Sequence, residues 1–358
     1  MSPGRLPDAV IEVLPLVAPG TALRDALDNI IRGRTGGLIV FADPEKLEKA
    51  GIISGGIKVE CAFTPMRLYE LAKMDGAIIV SRDITSIHYA NVHLRPKSLP
   101  SGETGMRHLA AHRTAQQTGA LVIAVSDRRN VVTIYLGKNP PYVLEDIGVV
   151  LAKVDSALAT LEKFTRRLRG EARVLDLHEY DGAVTLREVV QAIRTFEYTA
   201  RIADEIETYV IALGKEGRLA NMQLEQAFRH VPDQYDALLR DYVAEGVDYR
   251  EARRALRGLS PEQLSESSEI TQILGYGPVE QTDEFILKPR GYRQLIRVPR
   301  LPERVAERIV HQFGSLGRLM EADEEELDDV EGVGQARARA IRRGLARQKN
   351  LEISEELF

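Results

Sequence analysis

The sequence predicts a multidomain chain: a mixed α/β domain over residues 1–145, a helical spine over 146–288, and a small helical unit over 289–358. Three observations carry this. Short β-rich runs alternate with helical ones as far as about residue 145, the mark of a mixed α/β layer structure. From there Leu151, Val154, Leu158, Leu161 and Leu168 keep a helical spacing, and the next hundred or so residues hold almost no β-rich run. Near the end, Val330-Glu331-Gly332-Val333-Gly334 runs straight into an arginine-rich helical segment, 335–343.

Taken in order, Val10, Ile11, Val13, Leu14 and Val17 are interrupted by Asp8, Glu12 and Pro15, which fits a short amphipathic helix and not a signal peptide. Strands are expected at 38–41, 77–81, 86–92, 121–125 and 131–136. Thr64 and Pro65 supply an N-cap and a first-turn proline for a helix running to Lys73. Gly119 ends a helix that begins after Gly105, and Arg128-Arg129-Asn130 forms the tight turn of a hairpin. Thr185-Leu186-Arg187-Glu188 is a capping box, with Val184 and Val189 spaced as its hydrophobic staple. Spine arginines such as Arg166, Arg167 and Arg169 read as a solvated helix face. The loop 288–292 leads into the last unit, where Pro299-Arg300-Leu301-Pro302 is a weaker forerunner of the glycine hairpin.

Hydrophobic content of 44% and charged content of 28% suit an ordinary globular chain, and no apolar run reaches the length a membrane span needs. The net charge of −5 averages segments of opposite character. A single cysteine, Cys61, excludes an internal disulfide framework and a cysteine zinc site, and points to a reducing, cytoplasmic setting.

Two constellations carry chemistry. Asp75, between Met74 and Gly76-Ala77, stands at a helix-to-strand corner where a phosphate and a divalent metal could meet, and Glu103-Thr104-Gly105-Met106-Arg107-His108 opens the following helix with an arginine and a histidine in its first turn. Such a pair of acidic and basic sites suits nucleotide chemistry. His108 and His112 share a helix face, but no third ligand accompanies them, so zinc is not expected. No Walker loop and no serine–histidine–acid set is present. The second constellation is the hairpin. Gly332 and Gly334 let the backbone turn sharply and aim N–H groups outward at a helix N-terminus, and Arg337, Arg339, Arg342 and Arg343 add positive charge to that helix. DNA phosphate is the expected anion, bound without sequence preference and with salt dependence, in keeping with a nucleoid-associated protein.

Several segments in order carry a resemblance over nearly the whole chain: Asp75-Gly76-Ala77, 90–94, Glu103-Thr104-Gly105, Gln117-Thr118-Gly119, 128–130, 161–163, 214–217 and 289–293, then the hairpin. On these the chain resembles the DNA integrity scanning diadenylate cyclase family. The resemblance implies a cyclase domain that joins two ATP into cyclic di-AMP, a helical spine, a helix-hairpin-helix DNA-binding domain, and a homo-octamer of two stacked rings. It implies that Asp75 is catalytic and holds Mg²⁺ or Mn²⁺. It implies too that Gly76, Ala77, Leu94, Arg107, His108 and Arg129 form the ATP pocket. The family pattern Gly-Thr-Arg-His-Arg-Thr-Ala here reads Gly105-Met106-Arg107-His108-Leu109-Ala110-Ala111. His112-Arg113-Thr114-Ala115 does not restore it, because the flanking motifs already stand in register. Met106, Leu109 and Ala110 thus remove two hydroxyls and one guanidinium, and a slow cyclase is expected. The alternative is a catalytically impaired octameric scaffold that senses nucleotide or DNA.

Overall fold

The computed structural model describes residues 6–279 and 282–355. The chain divides into two compact units, one of residues 6–156 with 207–221, the other of 157–206 with the chain from 222 onward.

The first unit is built on one mixed sheet. Helices α1 (Asp8–Val17) and α2 (Ala22–Gly33) lead into β1 (Gly37–Phe41), followed by α3 (Pro44–Lys49), β2 (Ile53–Ser54), β3 (Ile57–Ala62), α4 (Pro65–Ala72), β4 (Ala77–Val80) and β5 (Ser86–Leu94). Helix α5 (Met106–Thr118) precedes β6 (Leu121–Ser126), β7 (Val131–Leu136) and β8 (Tyr142–Leu144). The order across the sheet is β2-β5-β4-β1-β6-β7-β8, with β3 also paired to β5. Only β1 and β4 run parallel; the other pairs are antiparallel.

The core follows from the two-residue period of strands. Ile39, Phe41, Ile78, Val80, Ile123 and Val125 face Leu23, Leu27, Ile30 and Leu68 of α2 and α4. Their sequence neighbours Leu38, Val40, Ala77, Ile79, Val122 and Ala124 face Leu47 of α3 and Ala111 and Ala115 of α5. Strands buried on both faces need apolar residues at every position, which is why β1 and β4 read as unbroken apolar runs. The five expected strands are all present, within two residues at each end. Strands β2, β3 and β8 were not anticipated. Strand β3 sits at an edge and is largely exposed, so its residues Lys58 and Glu60 diluted an alternating signal that was nonetheless there.

The spine is formed by α6 (Ile147–Asp181), β9 (Val184–Thr185) and α7 (Leu186–Leu213), of which residues 157–206 belong to the second unit. The capping box is present: the Thr185 hydroxyl accepts from the Glu188 amide at 3.3 Å, the Glu188 carboxylate accepts from the Thr185 amide at 2.8 Å, and Val184 and Val189 are buried beside it. After α8 (Arg218–Phe228), helices α9 (Val231–Tyr242), α10 (Tyr249–Gly258), α11 (Pro261–Ser265) and α12 (Ser267–Ile273) follow. Strand β10 (Ile286–Leu287) pairs with β9, a small ribbon where only helix was expected. The terminal module holds α13 (Tyr292–Leu295), α14 (Glu303–Phe313), α15 (Leu316–Glu321), α16 (Glu324–Asp328) and α17 (Gln335–Glu355) around its own core of Leu295, Ile309, Leu316, Leu327, Ala338 and Ile341.

The two-unit division groups most of the spine with the terminal module. A buried polar network ties the two together. Arg293 of α13 is ion-paired to Glu179 and to Asp176 at 2.9 Å, both on α6. Gln294 donates to Asp176 at 2.8 Å and to Glu179 at 2.7 Å. Asp241, at the end of α9, accepts the amides of Gly291, Tyr292 and Arg293 at 2.7, 2.7 and 2.8 Å. Burial, and then the Glu179 carboxylate, push the Asp241 carboxyl up to about 7, against the pull of those amides and of Arg293. The segment 289–293 is therefore a structural latch within this unit.

Candidate active site and nucleic-acid interface

The first site is an open cleft of about 860 Å³ in the first unit. Its walls come from the corner before β4, the end of β5, the first turn of α5 and the β6–β7 hairpin. Asp75, Gly76, Ala77, Leu94, Arg107, His108 and Arg129 all line it, as do Met106 and Ala110.

Asp75 is exposed and makes no hydrogen bond or ion pair among the described residues. Its position depends on the next residue. A Cβ on Gly76 would come 2.7 Å from the backbone of Asn91, so only glycine lets β5 approach this corner. Asn91 itself has φ +53°, at a shift of register between β4 and β5. Glycine and bulge are two halves of one device, and the local sequence showed only the first.

On the opposite wall, α5 begins at Met106 with Gly105 as its N-cap and no side chain capping its amides. Those amides and the positive end of the helix dipole favour an anion. Arg107 is half-buried, 3.8 Å from Asp127. Gly36, at φ +67°, makes room for it: a Cβ there would fall 2.5 Å from the guanidinium. His108 is 6% exposed. Its Nδ1 lies 2.8 Å from the Tyr135 hydroxyl, and its Nε2 is buried without a hydrogen-bond partner. Burial lowers the imidazole from its ordinary range, the Glu103 carboxylate partly opposes this, and Arg129 and Arg107 add to it, so the ring is neutral at pH 7. Burial, and then a hydrogen bond with Glu103, raise the Tyr135 hydroxyl. The hairpin turn is fixed by Asn130 at φ +52° and by the Ser126 hydroxyl, which accepts the Arg129 amide at 3.3 Å, leaving Arg128 and Arg129 exposed on the cleft.

Leu109 is not among the residues that line the cleft. It heads the helix stripe that continues at 112, 113 and 116. The later members of that stripe bond a different segment: Arg113 donates to the Leu99 carbonyl at 2.9 Å, Gln116 to the Pro100 carbonyl at 3.2 Å, and His112 lies 2.8 Å from the Ser101 hydroxyl. Met106, by contrast, is 84% exposed. Leu38, Val92, His93, Thr104, Ser126, Asp127 and Arg128 also line the cleft; Val92, His93, Thr104 and Arg128 stand in the motifs read from the sequence, but none of the seven was named there as a site residue. Nothing local marks Leu38 or Ser126, which reach it only because β1, β4 and β6 are neighbours.

A divalent metal can be tested against the donors present. Among the described residues no group of three or more His, Cys, Asp or Glu could hold one. Mg²⁺ and Mn²⁺ do not need such a cage when a carboxylate and substrate phosphates share the coordination, and unpaired Asp75 fits that pattern.

The second site is the hairpin. Gly332 takes φ +90°, with a built Cβ tight against Val305 and Arg308 at 3.3 and 3.4 Å. Gly334 has open space around its Cβ position, so packing does not demand glycine there. The Val333 amide donates to the Val330 carbonyl at 2.8 Å, and the Arg337 and Ala338 amides donate to the Gly334 carbonyl at 2.8 and 2.9 Å. The forerunner repeats this bond for bond. Leu301 donates to Val298 at 3.3 Å, Val305 and Ala306 to Pro302 at 2.9 and 3.1 Å, and Arg300 takes φ +60° where the later copy has Gly332. Pro302 stands in place of Gly334, which closes off the close approach that the later hairpin offers. Of the four α17 arginines singled out from the sequence, Arg342 and Arg343 are exposed without an ion pair among the described residues. Arg337 bonds the Gly332 carbonyl and so braces the hairpin, and Arg339 pairs with Glu324 at 3.2 Å.

No helix among the described residues is long and apolar enough to cross a membrane. Comparison with known proteins gives matches along the chain. Residues 24–139 match the DisA bacterial checkpoint controller nucleotide-binding region, 144–282 the linker region of the same controller, and 297–353 a helix-hairpin-helix motif. The DNA integrity scanning protein DisA of Clostridium tetani is 46% identical over 341 residues, 95% of this chain and 94% of its own. That of Clostridium botulinum is 43% identical over 94% of this chain and 95% of its own, and that of Clostridium kluyveri 45% over 97% of each. A solved structure of DacA from Staphylococcus aureus is 20% identical over 38% of this chain and 90% of its own, with a TM-score of 0.30, too small to bear on the fold. With a glycine-shaped acidic corner, a cationic helix start and a glycine hairpin standing where three successive matches span the sequence, the chain belongs to the DNA integrity scanning protein DisA family.

Proposed function

We propose that this protein is a diadenylate cyclase that condenses two ATP into cyclic di-AMP and two pyrophosphates, and that binds DNA through its terminal module. The observation that carries the reading is the first cleft, where an unpaired carboxylate, Asp75, shares walls with a helix N-terminus, Arg107 and Arg129. Such walls suit a nucleotide triphosphate, the arginines and amides taking phosphate charge and Leu94 offering an apolar contact to the base. Asp75 is the residue that would hold Mg²⁺ or Mn²⁺, which when bound neutralises charge on the reacting phosphates and favours loss of pyrophosphate. In each half-reaction a ribose 3′-oxygen bonds the α-phosphorus of the other ATP, the hydroxyl proton is released, and the bond to pyrophosphate breaks. Two such steps close the ring. One cleft holds one ATP, so two chains must face each other, an isologous arrangement that the proposed homo-octamer supplies.

A slow rate belongs to this proposal. Met106, exposed at the cleft, offers phosphate no hydrogen bond where a threonine hydroxyl would. The same observation supports the second reading, an impaired scaffold that senses nucleotide or DNA. Incubating the purified protein with ATP and Mn²⁺ separates the two. Cyclic di-AMP is expected from the natural sequence and a loss of at least a hundredfold from Asp75→Asn, since the amide keeps the volume but not the charge on the metal. Product made equally by both proteins would put the chemistry elsewhere; no product with DNA binding retained would favour the scaffold.

A further inference from the structure

Helix α5 carries two histidines one turn apart, His108 and His112, and both rings pack on Tyr135 of β7, at centroid distances of 6.1 and 5.5 Å. The proton on His112 can be placed from its neighbours. The Gln116 amide nitrogen donates to the Pro100 carbonyl at 3.2 Å and also lies 3.0 Å from His112 Nε2. Nε2 therefore accepts, and the ring proton sits on Nδ1, 2.8 Å from the Ser101 hydroxyl. Ser101 in turn accepts the Glu103 amide at 3.2 Å. His112 thus fixes the segment that brings the Glu103 side chain to Tyr135.

The Tyr135 hydroxyl has one proton and two claimants for it, the Glu103 carboxylate and His108 Nδ1. A hydrogen bond to an ionised acceptor is roughly twice as strong as a neutral one, so the hydroxyl donates to Glu103. Its oxygen is left to accept, and His108, 2.8 Å away, must donate from Nδ1. A neutral imidazole has a single ring proton, so Nε2 is bare. That nitrogen is buried and has no partner among the described residues, although the ring belongs to the wall of the first cleft. A buried acceptor left unpaired costs about 1–3 kcal/mol, which a donor entering from the cleft would recover.

Phosphate cannot be that donor. Arg107, Arg128, Arg129 and the open amides of α5 all donate, and phosphate oxygens suit them, but a bare nitrogen needs an O–H or N–H. On a nucleotide the donors nearest the phosphates are the ribose hydroxyls. We propose that Glu103 and Tyr135 are positioning residues that present His108 Nε2, as an acceptor, to a ribose hydroxyl of the nucleotide in the first cleft. This rests on the reading of that cleft as an ATP site and adds to it a means of telling ribose from deoxyribose.

The test compares the full-length natural protein with Tyr135→Phe and Glu103→Gln, titrating each with ADP, 2′-deoxy-ADP and 3′-deoxy-ADP by calorimetry. ADP has no pyrophosphate to lose, so binding alone is read. The natural protein should bind ADP about tenfold or more tightly than at least one deoxy analogue. Without the tyrosine hydroxyl, Nδ1–H has no acceptor and the proton moves to Nε2. Glutamine at 103 can donate to the Tyr135 oxygen, which turns the hydroxyl proton toward His108 and leads to the same tautomer. Both variants should therefore bind ADP and its deoxy analogues within about twofold of one another, and Glu103→Gln, which keeps volume and hydrogen bond, should keep the melting temperature. A merely structural role would not alter the choice between analogues. The proposal is overturned if either folded variant retains the natural preference for ADP, or if the natural protein binds all three nucleotides alike. A natural protein that binds no ADP at all would instead overturn the ATP reading of the cleft, and this inference with it.

Discussion

Met106 and Leu109 differ by three positions on α5, yet the fold gives them unrelated surroundings. Met106 is solvent-exposed at the cleft beside the open helix amides, whereas Leu109 belongs to the stripe that leans toward residues 99–101. The two substitutions should therefore not act alike. Met106→Thr places a hydroxyl where phosphate is proposed to bind, and a hydrogen bond to a charged group is worth roughly 1.5–3 kcal/mol. Since about 1.4 kcal/mol is tenfold in rate, this variant should raise cyclic di-AMP turnover by on the order of tenfold or more. Leu109→Arg should do less, because its side chain must first leave that stripe. A rate assay in which Leu109→Arg gives the larger gain would show that α5 rearranges when ATP binds. Gly76 and Gly36 teach the same lesson, since each is glycine because of a residue far away in sequence, Asn91 and Arg107 respectively.

At the scale of elements, two features admit direct tests. Asp241 holds the start of α13 through three backbone amides, and its carboxyl is raised to about 7. A raised acid binds a proton in the folded state that the unfolded chain has already lost, so its stabilising contribution is full below the ordinary aspartate value and is lost as pH rises to about 7. Asp241→Asn cannot titrate. Urea unfolding at a series of pH values should show the natural protein's advantage over this variant shrinking from pH 4 to 7 and then levelling off. A pH-independent difference would mean that the carboxyl is not raised. The hairpin gives the second test. Gly334 has open space around it, so Gly334→Val should leave the melting temperature unchanged while weakening duplex binding about tenfold or more and lowering the salt slope by about 0.9 per lost phosphate contact. Undiminished binding would remove the hairpin from the interface.

For the molecule as a whole, catalysis by two facing clefts requires assembly. Light scattering should report a mass near eight times the 39.9 kDa of one chain. A monomer at every concentration would undercut both the octamer and the cyclase reading. Within one chain, the latch of Arg293 with Asp176 and Glu179 joins spine and terminal module inside one compact unit. Breaking a buried pair by removing one partner costs about 3–5 kcal/mol, because a charge is left buried alone.

The sequence by itself determined the elements whose causes are local. The apolar runs of β1 and β4, the proline and threonine starting α4, the capping box at Thr185 and the glycine hairpin at 332–334 each depend on residues within a few positions of one another. It also marked Asp75 and Arg107 as chemically meaningful, from a carboxylate at a helix-to-strand corner and an arginine in the first turn of the helix that follows. Only the tertiary structure decided which residues share a cleft. Leu38 and Ser126 join Asp75 because β6 inserts beside β1, and Leu109 is not among the lining residues, while Arg113 and Gln117 further along its helix bond segment 97–99. The latch escaped notice for the same reason: Asp176, Asp241 and Arg293 lie more than fifty residues apart, and charged residues read as surface until a fold buries them together. Burial and proximity are properties of the packed chain, and no short window of sequence contains them.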